Sequence, residues 1–363
     1  MTTVEQYSNY RLVCTRTLLE NAKAISEFVG VPVIGVLKCD GYGIGIAKAA
    51  QIWREAGATM FAVSMPEEAL ALREEGVEED ILLLAPVADA GMLTALLKKN
   101  IILTISDLEN ACFYRENRGE NIVRAHIAVD TGMGRFGVSW KDTQSLQRVY
   151  QLDGFSFEGI FSHFAQSFEK GDAFTKKQLG RFLSATGYLE EQGLCLGIRH
   201  IANSCAALRF PETRLDGVRI GSGLVGALGA PVPIQLKRDV TFTAQVVAIK
   251  HLEKGDTTGY ASLYKAKKPI KAAVVAIGSQ CGFGMNPYPD TCRFRDLLSA
   301  VKLTVHQYFH PPVVEYQGKP LRLIGRIGSQ YTLFDATGTQ LQGGEQVTAK
   351  VSLLFPVQRR VFR

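Results

Sequence analysis

From residue 33 to about residue 220 the chain repeats one pattern: a short unbroken apolar run, a polar turn, then an amphipathic stretch. The runs fall near 33–38, 61–64, 81–85, 101–105, 123–129, 157–162, 198–202 and 217–220. Short runs without alternation suit strands buried on both faces. Between them, 44–56, 66–75, 90–98, 141–151 and 172–192 read as helices, and a helix over 15–29, opened by Thr15, precedes the first run. Ser64 is the expected cap for a helix whose first turn holds Met65-Pro66-Glu67-Glu68, where proline and acids are favourable. Eight strands with intervening helices over roughly 230 residues predict an α/β fold, a (β/α)8 TIM barrel. An open doubly wound sheet is the alternative, but it seldom strings together so many units.

Past residue 236 the pattern changes. Apolar and polar residues alternate over 240–246, 301–305 and 347–353, and 272–277 is a shorter, wholly apolar run. Turns such as Lys254-Gly255-Asp256 and Gly343-Gly344 separate these stretches. Alternation punctuated by turns predicts a C-terminal antiparallel β domain. The expected division is a barrel over 1–236 and a β domain over 237–363, with 9–14 able to pair with the latter.

Composition excludes some classes. Hydrophobic residues make up 46% of the 363 positions, enough for sizeable cores, and the net charge of +6 slightly favours small anions. Lys and Arg are dispersed among Asp and Glu, so no nucleic-acid stripe is visible. The seven cysteines are scattered without paired metal-type spacing, which suggests reduced thiols, a cytoplasmic protein and no metal site. The amino terminus lacks a basic region followed by an apolar core, so no secretory signal is expected. No apolar run is long enough to cross a bilayer, and no membrane partner is expected.

The candidate chemistry sits where the expected barrel strands end. The first runs out as Val36-Leu37-Lys38-Cys39-Asp40-Gly41-Tyr42-Gly43, placing an amine at a strand's carboxyl end, where barrels bind ligands. A lysine shielded from water there loses its proton readily and can form a Schiff base. The fifth leads into Asp130-Thr131-Gly132-Met133-Gly134-Arg135, and the sixth ends in Ser162-His163-Phe164. The seventh gives Arg199-His200-Ile201-Ala202-Asn203-Ser204, and the eighth Val218-Arg219-Ile220-Gly221-Ser222-Gly223. Singly, each has a bland account: a solvated lysine, a surface ion pair at Arg135, core histidines at His163 and His200. Together they form a site, because all would face one end of a barrel.

These stretches, with His163-Phe164-Ala165, Gly259-Tyr260-Ala261 and Gly325-Arg326, resemble the alanine racemase family in order and spacing over most of the chain. The resemblance implies a pyridoxal 5'-phosphate enzyme that inverts a small amino acid, alanine first, in a homodimer with two shared sites. It implies that Lys38 holds the cofactor and is one acid/base, and that Tyr260 of the other subunit is the second, on the opposite face of the substrate Cα. His163, bonded to Tyr260, would lower that phenol's pKa. Arg219 would face the pyridine nitrogen. Tyr42, Asn203, Ser204, Gly221 and Ser222 would bind the cofactor, and Arg135 would bridge its ring oxygen and the substrate carboxylate. Ser329 and Gln330 would face the substrate from the partner subunit.

Three departures accompany the resemblance. Ala128 stands where many members carry a carbamylated lysine that steadies the arginine equivalent to Arg135. Gly328-Ser329-Gln330-Tyr331 replaces a Cys-Met-Asp-Gln run, and Arg359 falls where a C-terminal tyrosine is expected. They leave Lys38 and Tyr260 in place, so racemisation of alanine is the expected activity, with serine or another amino acid as an alternative substrate. Rival readings are a decarboxylase of the same architecture, disfavoured by Arg219, and a cofactor-binding or regulatory protein that has lost turnover.

Overall fold

The computed structural model describes residues 9–285, 294–353, 355, 357 and 359–363, without the side chains of Tyr260 and of 294–296, 299 and 307. The chain divides into two compact units, Thr15–Asp239 and the combination of Met1–Cys14 with Val240–Arg363.

The first unit contains the strands Val33–Val36, Met60–Val63, Asp80–Leu83, Leu103–Ile105, Val123–Asp130, Phe155–Phe161, Ile198–His200 and Val218–Ile220. Strands one, two and three pair in parallel, as do four to seven, and the eighth returns to pair with the first. A parallel bridge between Leu82 and Ile102 joins the third to the fourth. Arg219 N–H donates to the Ala202 carbonyl at 3.0 Å and joins the seventh to the eighth. The ring is closed, a (β/α)8 barrel, as the unbroken apolar runs predict. All four residues of Val33–Val36 are buried, because helices cover a barrel sheet from outside and side chains fill it from within. Gly35 permits that covering: an added Cβ would stand 2.8 Å from Trp53 Cδ1 and 3.1 Å from Phe61 Cδ1.

Helices Thr15–Val29, Ile46–Glu55, Pro66–Glu74, Ala90–Lys98, Thr143–Tyr150 and Ala173–Glu191 match the amphipathic stretches, and Leu108–Asn117 and Ser204–Arg209 complete the set. The cap expected at Ser64 is displaced. The helix begins at Pro66 after Met65, and the Glu68 carboxylate accepts the N–H groups of Ser64 and Met65, each at 3.1 Å. A carboxylate three residues into the helix satisfies both orphan donors, which a single hydroxyl at Ser64 cannot.

In the second unit the long strand Val240–Leu252 pairs antiparallel with Tyr10–Val13, Ile270–Val275 and Gln346–Ala349. Arg360–Phe362 runs parallel to Tyr10–Val13 on its other edge. The buried face carries Phe242, Val246, Val275, Phe283 and Phe334. The alternation over 347–353 is strand only as far as Ala349. The stretch 301–305 is not a strand at all: it lies within helix Phe294–Phe309. Over five residues an alternating pattern also fits a helix, and Leu297, Leu298, Val301, Val305, Tyr308 and Phe309 recur at the three- and four-residue steps of one. Among the described residues no helix is long and apolar enough to cross a membrane.

Candidate active site

A cavity of about 510 Å³ opens at the carboxyl ends of the barrel strands and is lined by residues of the first unit. Lys38, Tyr42, Ala128, Arg135, His163, Asn203, Ser204, Arg219, Gly221 and Ser222 all reach it.

The turn after strand one places Lys38 and Tyr42. Cys39, Asp40, Gly41 and Tyr42 follow one another in the left-handed region, at φ 54°, 53°, 62° and 55°. Each non-glycine residue there costs about 1–2 kcal/mol, so the turn persists only because its surroundings hold it. Gly41 N–H donates to the Leu37 carbonyl at 2.8 Å, Cys39 N–H to Glu68 Oε1 at 2.6 Å, and Ile46 N–H to Asp40 Oδ1 at 3.0 Å. Glu68 thus braces the lysine turn and the helix start after strand two together. The turn brings the Tyr42 ring against Gly221, where an added Cβ would lie 2.4 Å from the phenolic oxygen. Burial pushes the Tyr42 phenol up, so it remains a neutral donor.

Ser204 opens the helix Ser204–Arg209, and its Oγ accepts Gly221 N–H at 3.0 Å and Gly223 N–H at 3.4 Å. Asn203 caps that helix: its Oδ1 accepts Ala206 N–H at 3.1 Å and the Ser167 hydroxyl at 2.8 Å. Backbone amides and hydroxyls with a glycine that no side chain could replace make a cradle suited to a phosphate. Substituting Gly221→Ala is expected to weaken pyridoxal 5'-phosphate binding about 5- to 150-fold, since overpacking costs about 1–3 kcal/mol. Titration of the visible absorbance of the bound cofactor measures it.

Arg219 is the fixed point of the cavity floor. It is buried over the Phe161 ring at 5.2 Å, and it donates to the carbonyls of Ser162 at 2.5 Å, His200 at 3.0 Å and Ile201 at 3.3 Å. It also contacts His200 Nδ1 at 2.5 Å and His163 Nδ1 at 3.3 Å. Arginine only donates, so both Nδ1 atoms accept. His200 then carries its proton on Nε2 and donates to His126 Nδ1 at 2.9 Å. The His126 proton is left on Nε2, a buried atom with no hydrogen-bond partner among the described residues. One arginine therefore sets the tautomers of three histidines.

Burial, then the Arg135 charge, lowers Arg219 to about 9, still a cation at neutral pH. Burial, followed by the charges of Arg219, Arg135 and Lys38, pushes His163 down to about 3. Burial and then Arg219 push His126 to about 3 and His200 well below the ordinary histidine range. His163 is thus neutral at pH 7, and the positive charge expected to act on a phenol there resides in the arginines. The same shifts set a stability window. A histidine whose folded pKa lies below its unfolded value near 6.5 opposes folding as acid protonates it in the unfolded chain. Stability is full above about pH 6.5 and declines as pH falls towards 3. A thermal midpoint measured against pH should drop over that interval; a flat profile from pH 6.5 to 4 would contradict the buried neutral histidines.

Arg135 lies in the exposed loop after strand five, with its guanidinium 5.6 Å from the Phe136 ring centre. Ala128 presents a methyl group to the same cavity. Ser329 and Gln330, expected to face the partner subunit's substrate, lie in the second unit, where they line a cavity of about 340 Å³ with Asn9, Gln280 and Tyr331. Tyr260 begins the short helical turn Tyr260–Ser262 of that unit, and its side chain lies outside the described residues. The Arg359 carbonyl accepts Arg11 N–H at 3.0 Å. Sequence reading missed Glu68, Phe161, His126 and the polar residues behind the Arg135 loop. Only Glu68, in the first turn of a helix, left a signal that could have found it.

Comparison with known proteins agrees with this geometry. The family model for the alanine racemase N-terminal domain matches residues 13–229, and that for the C-terminal domain matches 240–354. An alanine racemase of Clostridium tetani is 36% identical over 268 residues, 71% of this chain and 69% of the relative. Alanine racemase 2 of Caldanaerobacter subterraneus subsp. tengcongensis is 29% identical over 343 residues, covering 91% and 82%. Among solved structures, the alanine racemase of Clostridium difficile 630 superposes with a TM-score of 0.86 at 23% identity, covering 100% of this chain and 97% of that one. A histidine racemase from Leuconostoc mesenteroides subsp. sake superposes at 0.81 and 23% identity, covering 98% of each. At such identities the likeness is one of fold, and the fold alone does not choose the amino acid. A barrel ending in this lysine, this buried arginine and this amide cradle, matched by both domain models, belongs to the alanine racemase family of pyridoxal 5'-phosphate-dependent isomerases.

Proposed function

We propose that this protein interconverts L- and D-alanine with Lys38 and the partner subunit's Tyr260 as its two acid/base groups. The observation that carries the reading is the convergence of Lys38, Arg219 and the Ser204–Gly221 cradle on one cavity. Pyridoxal 5'-phosphate, when bound, supplies an electron-withdrawing ring that acidifies the α C–H of an attached amino acid.

Lys38 Nζ would hold the cofactor through its aldehyde carbon, and the freed amine would carry a proton at one face of Cα. The Tyr260 phenolic oxygen carries a proton at the other. Inversion needs two such groups, because a single base returns the proton to the side it left. Ser204, Ser222, Tyr42 and the Gly221 amide hold the phosphate, with Asn203 orienting the helix that starts at Ser204. Arg135 pairs with the substrate carboxylate. Arg219 would offer the pyridine nitrogen a donor and no acceptor, which would disfavour a proton there. A ring held this way would be a weaker electron sink, which would favour return of a proton over decarboxylation or transamination. Tyr260 acting on a second subunit makes the working unit a homodimer, with both sites shared and in the cytoplasm.

Purified protein with each enantiomer of alanine in heavy water tests this. Deuterium at Cα with loss of optical activity is expected. Release of amine and CO2 would indicate a decarboxylase, no exchange a cofactor binder, and faster exchange on serine a different substrate.

A further inference from the structure

We propose that Gln178 is a positioning residue that holds Arg135 and His163 in register with the bound substrate. The inference rests on the reading of Arg135 as the carboxylate partner.

Gln178 lies on helix Ala173–Glu191, outside the barrel, and is 0% exposed. Its carboxamide reaches the two loops that deliver Arg135 and His163. Nε2 donates to Thr131 Oγ1 at 3.2 Å and to the His163 carbonyl at 3.0 Å, and Oε1 accepts Ala165 N–H at 2.9 Å. Thr131 Oγ1 lies 2.8 Å from Ser162 Oγ, and the Ser162 carbonyl accepts from Arg219 Nη2. Thr131, Ser162 and Gln178 are all buried. One amide thus ties the start of the Arg135 loop to the backbone of His163 and, through Ser162, to Arg219.

The same loop is pinned twice more. Asp130 Oδ1 accepts the N–H groups of Gly132, Met133 and Gly134 at 2.8–3.0 Å. Arg181 Nη1 donates to the Thr131 carbonyl at 2.7 Å, with its guanidinium 5.4 Å from the Trp140 ring centre. Ala128 offers only a methyl, so the orientation of Arg135 is set from its backbone. Of these anchors Gln178 also bonds the His163 backbone directly, and so it helps set the distance between the two groups. Misplacing such groups by about 1 Å costs up to about a hundredfold in rate. Glutamine suits the position because it must donate twice and accept once. An ionised carboxylate cannot donate, and methionine of similar length does neither.

The holoprotein of Gln178→Met decides it. KM for alanine should rise about tenfold with a smaller fall in kcat, the pattern of lost ground-state binding. Kd for acetate, read from the visible absorbance of the bound cofactor, should rise by the same factor. Gln178→Glu should recover towards wild-type KM as pH falls and its acid form regains a donor, a pH dependence absent from the wild type. If Gln178→Met fails to fold, Thr131→Val removes one of the contacts and should raise both constants about threefold. A lowered thermal midpoint with unchanged KM and acetate Kd would leave Gln178 a purely structural residue and overturn the proposal. Wild-type protein that exchanges no α-hydrogen would instead overturn the racemase reading, while acetate binding still reports on Gln178.

Discussion

Lys38→Ala is expected to abolish covalent capture of pyridoxal 5'-phosphate and to slow racemisation of alanine by at least about a thousandfold. Proton transfer by a positioned side chain contributes roughly 10²–10⁴ in rate, and here the loss of the covalent hold adds to it. The fold should survive. The strained turn that carries the side chain is held by backbone bonds through Leu37, Asp40 and Glu68, none of which involves the Lys38 amine. Two measurements separate the roles: the visible band of the protein-linked cofactor, which should vanish, and α-hydrogen exchange in heavy water with the cofactor in excess, which should fall to the background. A variant that kept a tenth of the wild-type exchange rate would remove Lys38 from the chemistry. Among the described residues lining this cavity there is no second lysine that could take its place.

Much of this was legible in the sequence because barrels write their topology plainly. Strands buried on both faces must be apolar throughout, and runs such as Val33–Val36 and Asp80–Leu83 could be read one by one. The ends of those runs then located Lys38, Arg135, His163 and Arg219 without any contact being known. The helix Phe294–Phe309 was misread because five alternating residues satisfy two periodicities, and its length shows only over three or four turns. Gln178 was not legible for a different reason, and Glu68 was legible only as a first-turn acid, not as the brace of the Lys38 turn. Each acts by hydrogen-bonding backbone groups in loops, and such bonds have no period and no required partner residue. His126 is a polar interruption of the largely apolar strand Val123–Asp130. Its meaning appears only when His200 and Arg219, distant in sequence, fix its proton. Side chains that hold backbone are thus the part of a site that pattern hides.

Tyr260→Phe carries the second large effect, and the partner subunit makes it testable in an unusual way. Removing the phenolic oxygen deletes one proton carrier, so racemisation should fall by about 10²–10⁴. L- and D-alanine have equal free energy in water, so kcat/KM must fall equally in the two directions. The asymmetry lies in exchange: the enantiomer whose α-hydrogen faces Lys38 should still take up deuterium without inverting, while its mirror image should not. If Tyr260 serves the partner's cavity, a mixture of Lys38→Ala and Tyr260→Phe subunits contains heterodimers with one intact site and one doubly damaged site. Random reassortment makes half the dimers mixed, so activity should return to about a quarter of the wild type from two nearly inactive parents. Tyr260 sits in the unit formed by Met1–Cys14 and Val240–Arg363, and Lys38 in the unit Thr15–Asp239, so each parent damages only one of the two units. Heterodimers demonstrated by mass but without recovered activity would mean that Tyr260 acts within its own chain or has no part in proton transfer.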